Sequence, residues 1–220
     1  MAIYTAITGE YDTLNELNKM ENGIDYVCFT NNKRLKSNTW NIEYISDNNL
    51  NNMYLAKKIK MFPNEYLSRY ETTVWLDGKF QITGNLTEYI SRYQRTESIL
   101  CFPHFSRNCI YEEAARCIVD GVGIKNDIVR QISKYGGEKY PCDNGLYEMG
   151  CIVRQNQDEL IIRLMRMWWD EVVEYSYRDQ ISFPYVCWKL NYLPDISDQN
   201  IYKNKWIECK RNYCKALGSF

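Results

Sequence analysis

The chain has 220 residues, 45% hydrophobic and 25% charged, which suits one large domain able to bury its own core. Its 27 basic and 28 acidic residues leave a net charge of −1, so no long-range attraction to nucleic acid or to an anionic membrane is expected. Nine cysteines, an odd number without a CxxC and mostly inside apolar runs, read as reduced, buried thiols of a cytoplasmic protein. Cys209 and Cys214 are the one pair placed to bridge or share a metal, and no further ligand is spaced to join them. The opening Met1-Ala2-Ile3-Tyr4-Thr5 has no basic n-region, and no stretch approaches the ~20 apolar residues that span a bilayer. The 19 Tyr, 7 Phe and 6 Trp fill cores, and their mixed apolar and polar character also suits stacking on sugars or bases.

In chain order, Ala2 to Thr8 reads as a buried strand stopped at Gly9. Asp25 to Thr30 follows as a second, and Asn51 to Phe62 as a helix stopped by Pro63. Thr72 to Leu76 and Ser98 to Phe102 are further apolar strands, with helices predicted over Glu112 to Val119 and Lys125 to Tyr135. Gly150 to Arg154 is a fifth strand. Gln157 to Tyr175 is the clearest helix: Ile161, Leu164, Met165, Trp168, Val172 and Tyr175 make one stripe. Asp179 to Leu190 is another helix, bent near Pro184, and the piece from about 195 to 220 is expected to pack back as a C-terminal helix. Alternating strands and helices predict an α/β fold: a mainly parallel central sheet flanked by helices, in a single domain over 1–220 with its core at about 2–190.

In such sheets ligands bind beyond the carboxyl ends of the strands. Three strand ends turn abruptly polar: Thr8-Gly9-Glu10-Tyr11-Asp12, Thr30-Asn31-Asn32 and Asp77-Gly78-Lys79. Asp77 stands at a buried strand's exit, where a carboxylate needs a partner. Lys79 can meet a phosphate as a point charge, and Lys57 and Lys60, one turn apart, either neutralise the same phosphates or form a solvated helix face. Neither GxGxxG nor GxxxxGK[ST] occurs, which argues against a dehydrogenase or a P-loop NTPase. His104 is the single histidine, so a serine or cysteine hydrolase would depend on it and a multi-histidine zinc site is excluded. Asp179 is either a helix N-cap or a group facing a sugar, with Arg178 orienting it or holding a phosphate. Glu148, in the turn before a strand, is a second candidate acid or base.

Together these segments resemble a family of glycosyltransferase-like domains found in bacterial surface-polysaccharide proteins and in plant proteins linked to mucilage and pectin. The matching pieces are Tyr4 to Asp12, Asp25 to Thr30, Ala56 to Lys60, Val74 to Lys79, Arg107 to Ala114, Gly145 to Glu148, Trp168 to Glu171 and Arg178 to Phe183, in order and spacing from about residue 2 to 190. The resemblance implies a GT-A-like fold and transfer of a sugar from a nucleotide-diphosphate donor to a polysaccharide, glycan or lipid-linked acceptor. It implies that Thr8, Gly9 and Tyr11 contact the nucleotide, that Asp25 or Thr30 helps at the base, and that Arg107 reaches the phosphates or the acceptor. Asp179-Gln180 is similar to an Asp-Gln pair near the sugar in related retaining transferases. Asp77 is similar to the first member of an Asp-x-Asp pair that holds Mn²⁺ or Mg²⁺ against the diphosphate. Lys79 replaces the second acid, so a metal held by Asp77 and a metal-free site with Lys79 on the phosphates both stay open. A hydrolase using Asp179 with Glu148, or His104, and a non-catalytic nucleotide- or sugar-binding module are the competing functions.

Overall fold

The computed structural model describes residues 1–220 apart from 11, 48, 96, 97 and 211–220. The chain opens with β1 (Ala2–Ile7), β2 (Asp25–Thr30) and β3 (Asn41–Tyr44), then α1 (Asn52–Met61) and the single turn α2 (Pro63–Tyr66). It continues through β4 (Thr72–Leu76), β5 (Phe80–Ile82), α3 (Leu86–Tyr93), β6 (Ile99–Pro103), α4 (Ile110–Val119) and α5 (Lys125–Gly137). β7 (Tyr147–Gln155), α6 (Glu159–Glu174), α7 (Asp179–Lys189), β8 (Asp195–Ile196) and β9 (Ile207–Cys209) complete it.

Seven strands form the central sheet in the order β3-β2-β1-β4-β7-β6-β8, and β5 pairs β9 in a small second sheet. β1 lies parallel to β2 and β4, β2 to β3, and β6 to β8; β7 runs antiparallel to both β4 and β6. The fold is thus mixed α/β with a mainly parallel sheet. From β1 the chain steps outward to β2 and β3, then returns to β4 on the other side of β1. That reversal makes the carboxyl ends of β1 and β4 the topological switch point, the place where sheets of this kind bind ligands.

Strand alternation explains the layering. On β1, Ala2 and Tyr4 enter one core with Leu55, Ile59, Leu164 and Trp168 from the helices, while Ile3 and Ile7 enter the other with Val74, Leu76, Leu86 and Tyr89. Both faces are covered, which is why the strands read as continuous apolar runs. Local capping fixes the helix starts. Asn51 accepts from the Tyr54 amide at 3.0 Å to cap α1, and Asp158 accepts from Leu160 and Ile161 to cap α6.

The predicted C-terminal helix is a correction. Over the described part of that piece, 195–210, the chain forms β8 and β9 with turns between, and no helix. β9 is recruited by pairing with β5, Phe80 opposite Cys209 and Ile82 opposite Ile207. Cross-strand pairing overrides the weak local helix pattern there. Asp179 is likewise not an N-cap: it is the first residue of α7, Arg178 occupies the cap position without a side-chain bond, and the Asp179 carboxylate is committed to lysines. Of the eight cysteines described, six are buried, Cys209 is half-buried and Cys142 is exposed; Cys214 lies outside the described residues.

Candidate active site

Asp77 leaves the carboxyl end of β4 with its amide bonded to Gly150 O at 2.8 Å. Gly150, on β7, has no room for a side chain: a Cβ there would stand 2.6 Å from Phe80 Cε2 and 3.2 Å from Asp77 Oδ2. Asp77 Oδ1 accepts from the Trp75 indole at 2.7 Å and faces Lys60 Nζ at 3.9 Å; Oδ2 faces Lys79 Nζ at 3.9 Å. Lys60 is buried and lies over both Trp75 and Trp168 at 5.8 and 5.6 Å from the ring centres.

From Lys60 the ion-pair chain continues to α7. Lys60 Nζ is 2.7 Å and Lys57 Nζ 3.2 Å from the same oxygen of Asp179, Oδ2. The pair Lys57 and Lys60 is therefore a buried face turned into the site rather than a solvated one. Burial alone would raise the Asp179 carboxyl, but the two ammonium groups outweigh it and hold it well below the usual carboxylate range. Burial pushes Lys57 down while Asp179 pulls it back.

Next to Asp179, Gln180 donates to Glu148 Oε2 at 3.2 Å, and Tyr202 donates to the same oxygen at 3.4 Å. Glu148 sits in β7. Burial pushes its carboxyl up to about 7, against the pull of Lys79 and with a further push from Glu113. His104 Nε2 lies 3.7 Å from Glu148 Oε1 and 3.7 Å from Glu113 Oε2. His104 Nδ1 accepts from the Ser106 and Arg107 amides at 3.2 and 3.0 Å, and its Nε2 lies 3.2 Å from the Arg107 guanidinium. Burial takes His104 down to about 4, against the pull of Glu113 and with Arg107 adding to the fall. It is a neutral brace at pH 7. Glu113, buried on α4, gathers Arg107 at 2.7 Å and Arg178 at 3.6 Å.

A second network lines the crevice at β1 and β2. Thr8 Oγ1 donates to Asn52 O at 2.7 Å, the Gly9 amide donates to Asn31 Oδ1 at 2.7 Å, and Asn31 Nδ2 donates to Asn52 Oδ1 at 2.7 Å. Gly9 has φ +64°, and a Cβ there would meet Asn52 Nδ2 at 2.4 Å, so only glycine serves. Thr30, buried at the end of β2, accepts from the Asn32 amide at 3.0 Å.

The sheet thus collects Asp77, Lys79, Lys57, Lys60, Arg178, Asp179, Gln180, Glu148 and Arg107 in one web, with Thr8, Gly9 and Thr30 at the neighbouring strand ends. Asp25 is not brought in. It stands at the amino end of β2, opposite Thr30, and contacts Tyr70 and Arg69. Tyr11 lies outside the described residues. Sequence reasoning did not single out Glu113, Asn52 or Tyr202. Glu113 carried a signal: with Ile110, Ala114 and Cys117 it shares the buried stripe of α4, an apolar face on which an acid needs a cationic partner. Tyr202 had none, because its segment read as a helix.

Within this web five cations (Lys57, Lys60, Lys79, Arg107, Arg178) are interleaved with four carboxylates (Asp77, Asp179, Glu113, Glu148), and the Asp12 carboxylate lies beside Gly78, the residue between Asp77 and Lys79. A divalent cation fits it poorly. Each Asp77 oxygen faces an ammonium, one also takes the Trp75 indole, and Lys79 stands where a second carboxylate would be needed.

Fold and site define the class: a glycosyltransferase-like α/β domain with a web of ion pairs at its sheet's switch point. The chain belongs to the TOD1/MUCI70 glycosyltransferase-like domain family, whose model matches residues 1–217. Among solved structures it is similar to the apo form of the bifunctional glycosyltransferase WbbM, with a TM-score of 0.47 and 8% identity over 87% of this chain. It spans 37% of that chain's length. No curated protein matches it by sequence. No helix among the described residues is long and apolar enough to cross a membrane.

Proposed function

We propose that this domain, on a GT-A-like scaffold, moves a sugar from a nucleotide-diphosphate donor to a hydroxyl of a polysaccharide, glycan or lipid-linked acceptor. Bacterial surface-polysaccharide synthesis on the cytoplasmic side is its setting. The observation that carries this is the convergence of Asp77, Lys79, Lys57 and Lys60 with Asp179, Gln180 and Glu148 at one switch point.

The reaction breaks the bond between the anomeric carbon and the diphosphate oxygen and forms one to the acceptor oxygen. The departing diphosphate carries its charge to Lys57, Lys60 and Lys79, which are already in place and need little reorganisation. The acceptor proton goes to Glu148, whose value of about 7 suits proton transfer near neutrality. Asp179 is held too far down to take a proton at working pH, so its role is a fixed negative charge beside the oxocarbenium-like centre. The crevice of Thr8, Gly9, Thr30, Asn31 and Asn52 takes the nucleoside. Arg107 and Arg178, gathered by Glu113, face the acceptor or its phosphate.

Lysines rather than Mn²⁺ or Mg²⁺ supply the positive charge at Asp77 in this scheme, so EDTA should leave transfer unchanged. The direct test is Asp77→Asn. Asp77 is partly exposed (31%) and its replacement keeps the Trp75 contact, so the variant should stay folded while transfer falls at least ~100-fold. Full activity in Asp77→Asn overturns the site. Turnover without any nucleotide sugar overturns the reaction in favour of a hydrolase.

A further inference from the structure

Tyr202 lies between β8 and β9, outside the segments that carry the family resemblance, yet it closes on the centre of the cleft. Its hydroxyl reaches Glu148 Oε2 at 3.4 Å. Its ring lies under Lys79 Nζ, 5.6 Å from the centroid, and packs on Phe80 and Phe105 with centroids at 5.9 and 5.5 Å. Lys79 in turn faces Asp77. One side chain from the C-terminal segment therefore touches both the carboxylate that handles the proton and the lysine that meets the diphosphate. We propose that Tyr202 is a positioning residue that holds Glu148 ready to take the acceptor proton and fixes Lys79 for the donor phosphates, so that the segment between β8 and β9 completes the active site.

Glu148 is surrounded from every side by named groups. Lys79 and Asp77 come from the β4–β5 turn, Gln180 from α7, His104 from the loop after β6, Glu113 from α4 and Tyr202 from the C-terminal segment. Two donors, Gln180 and Tyr202, converge on Oε2, while Oε1 faces the histidine Nε2 at 3.7 Å, beyond hydrogen-bond reach. Oε2 is thereby anchored and Oε1 is left as the oxygen that gains and loses the proton. Burial, with Glu148 and Asp77 nearby, pushes the Tyr202 phenol far up, so it remains a donor throughout the working range. A donor to the ionised carboxylate favours that form, so removing it must move Glu148 upward.

This inference rests on the proposed transferase reading, and the experiment separates the two. Tyr202→Phe keeps the ring under Lys79 and deletes the hydroxyl. Carboxyl ¹³C chemical shifts of labelled glutamate, assigned with Glu148→Gln, follow the Glu148 titration in the whole chain without any turnover. The midpoint should rise by roughly half to one pH unit in Tyr202→Phe, and the acidic limb of the rate profile should rise with it at unchanged donor Kd. Tyr202→Leu, which removes the ring as well, should add a severalfold weakening of donor binding. Tyr93→Phe, which deletes a hydroxyl bonded to Asp198 away from this cleft, should move neither. An unmoved midpoint in Tyr202→Phe, or an equal movement in Tyr93→Phe, overturns the role of Tyr202. A chain that transfers no sugar overturns the transferase reading while leaving the titration result standing.

Discussion

Glu148 and Asp179, linked through Gln180, carry opposite electrostatic signatures, and each makes its own prediction. Glu148 has a folded value near 7 against an ordinary 4.5. The folded state thus binds more protons than the unfolded chain between those limits, and Glu148 costs stability as pH rises through them. At ~1.4 kcal/mol per pH unit the cost at pH 8 is at most ~3 kcal/mol. Glu148→Gln should therefore raise the unfolding free energy by ~1–3 kcal/mol at pH 8, have little effect at pH 5, and abolish transfer; urea melts at the two pH values check it. Asp179 behaves in reverse. Its folded value is depressed, so its contribution is complete above the ordinary carboxylate range and is lost as pH falls below ~4. Asp179→Asn leaves two buried ammonium groups facing one neutral amide, and should cost ~3–5 kcal/mol at pH 7. A fall in melting temperature must accompany its loss of activity, which makes Asp77→Asn the cleaner probe of chemistry.

At the scale of elements, β7 matters most because it carries Glu148 at one position and Gly150, the close neighbour of Asp77, two residues on. Gly150→Ala would drive its methyl into Phe80 and toward Asp77 Oδ2. Donor affinity should fall about tenfold or more with the sheet intact, as measured by calorimetry and circular dichroism; unchanged affinity would show that the Asp77 position is not needed for binding. Much of the element plan was legible. β2 and β4 fall where their apolar runs predict, α1, α6 and α7 agree to within two residues, and the polar residues at three strand ends mark the cleft. β3, with Asn41, Glu43 and Tyr44 exposed, gave too little apolar contrast to be read, whereas α3 carries a legible stripe of Leu86, Tyr89 and Tyr93 behind its Asn85 cap that the strand-and-helix reading did not include. The reversed direction of β7 was invisible because strand direction lies in long-range pairing rather than in local pattern. The same limit turned 195–210 from an expected helix into β8 and β9, and hid Tyr202 with them. Of the two residues the resemblance offered for the base, Thr30 closes β2 at its carboxyl end while Asp25 opens it at the other.

Across the whole molecule, the topology gathers charge that is scattered along a near-neutral chain. With a net charge of −1 over the sequence, five cations and their carboxylate partners meet in the web around Asp77 and Asp179. The fold accomplishes this by gathering lysines from α1 and the β4–β5 turn, arginines from around α4 and α7, and carboxylates from β7 and α7. The measurement that tests this most directly is calorimetric binding of a panel of nucleotide-diphosphate sugars in EDTA, on the native chain and on Asp77→Asn and Lys79→Ala. At least one donor should bind the native chain without metal, and both variants should weaken it by tenfold or more. Binding that appears only on adding Mn²⁺ or Mg²⁺, or that is equally tight in both variants, would contradict a metal-free donor site centred on Asp77 and Lys79.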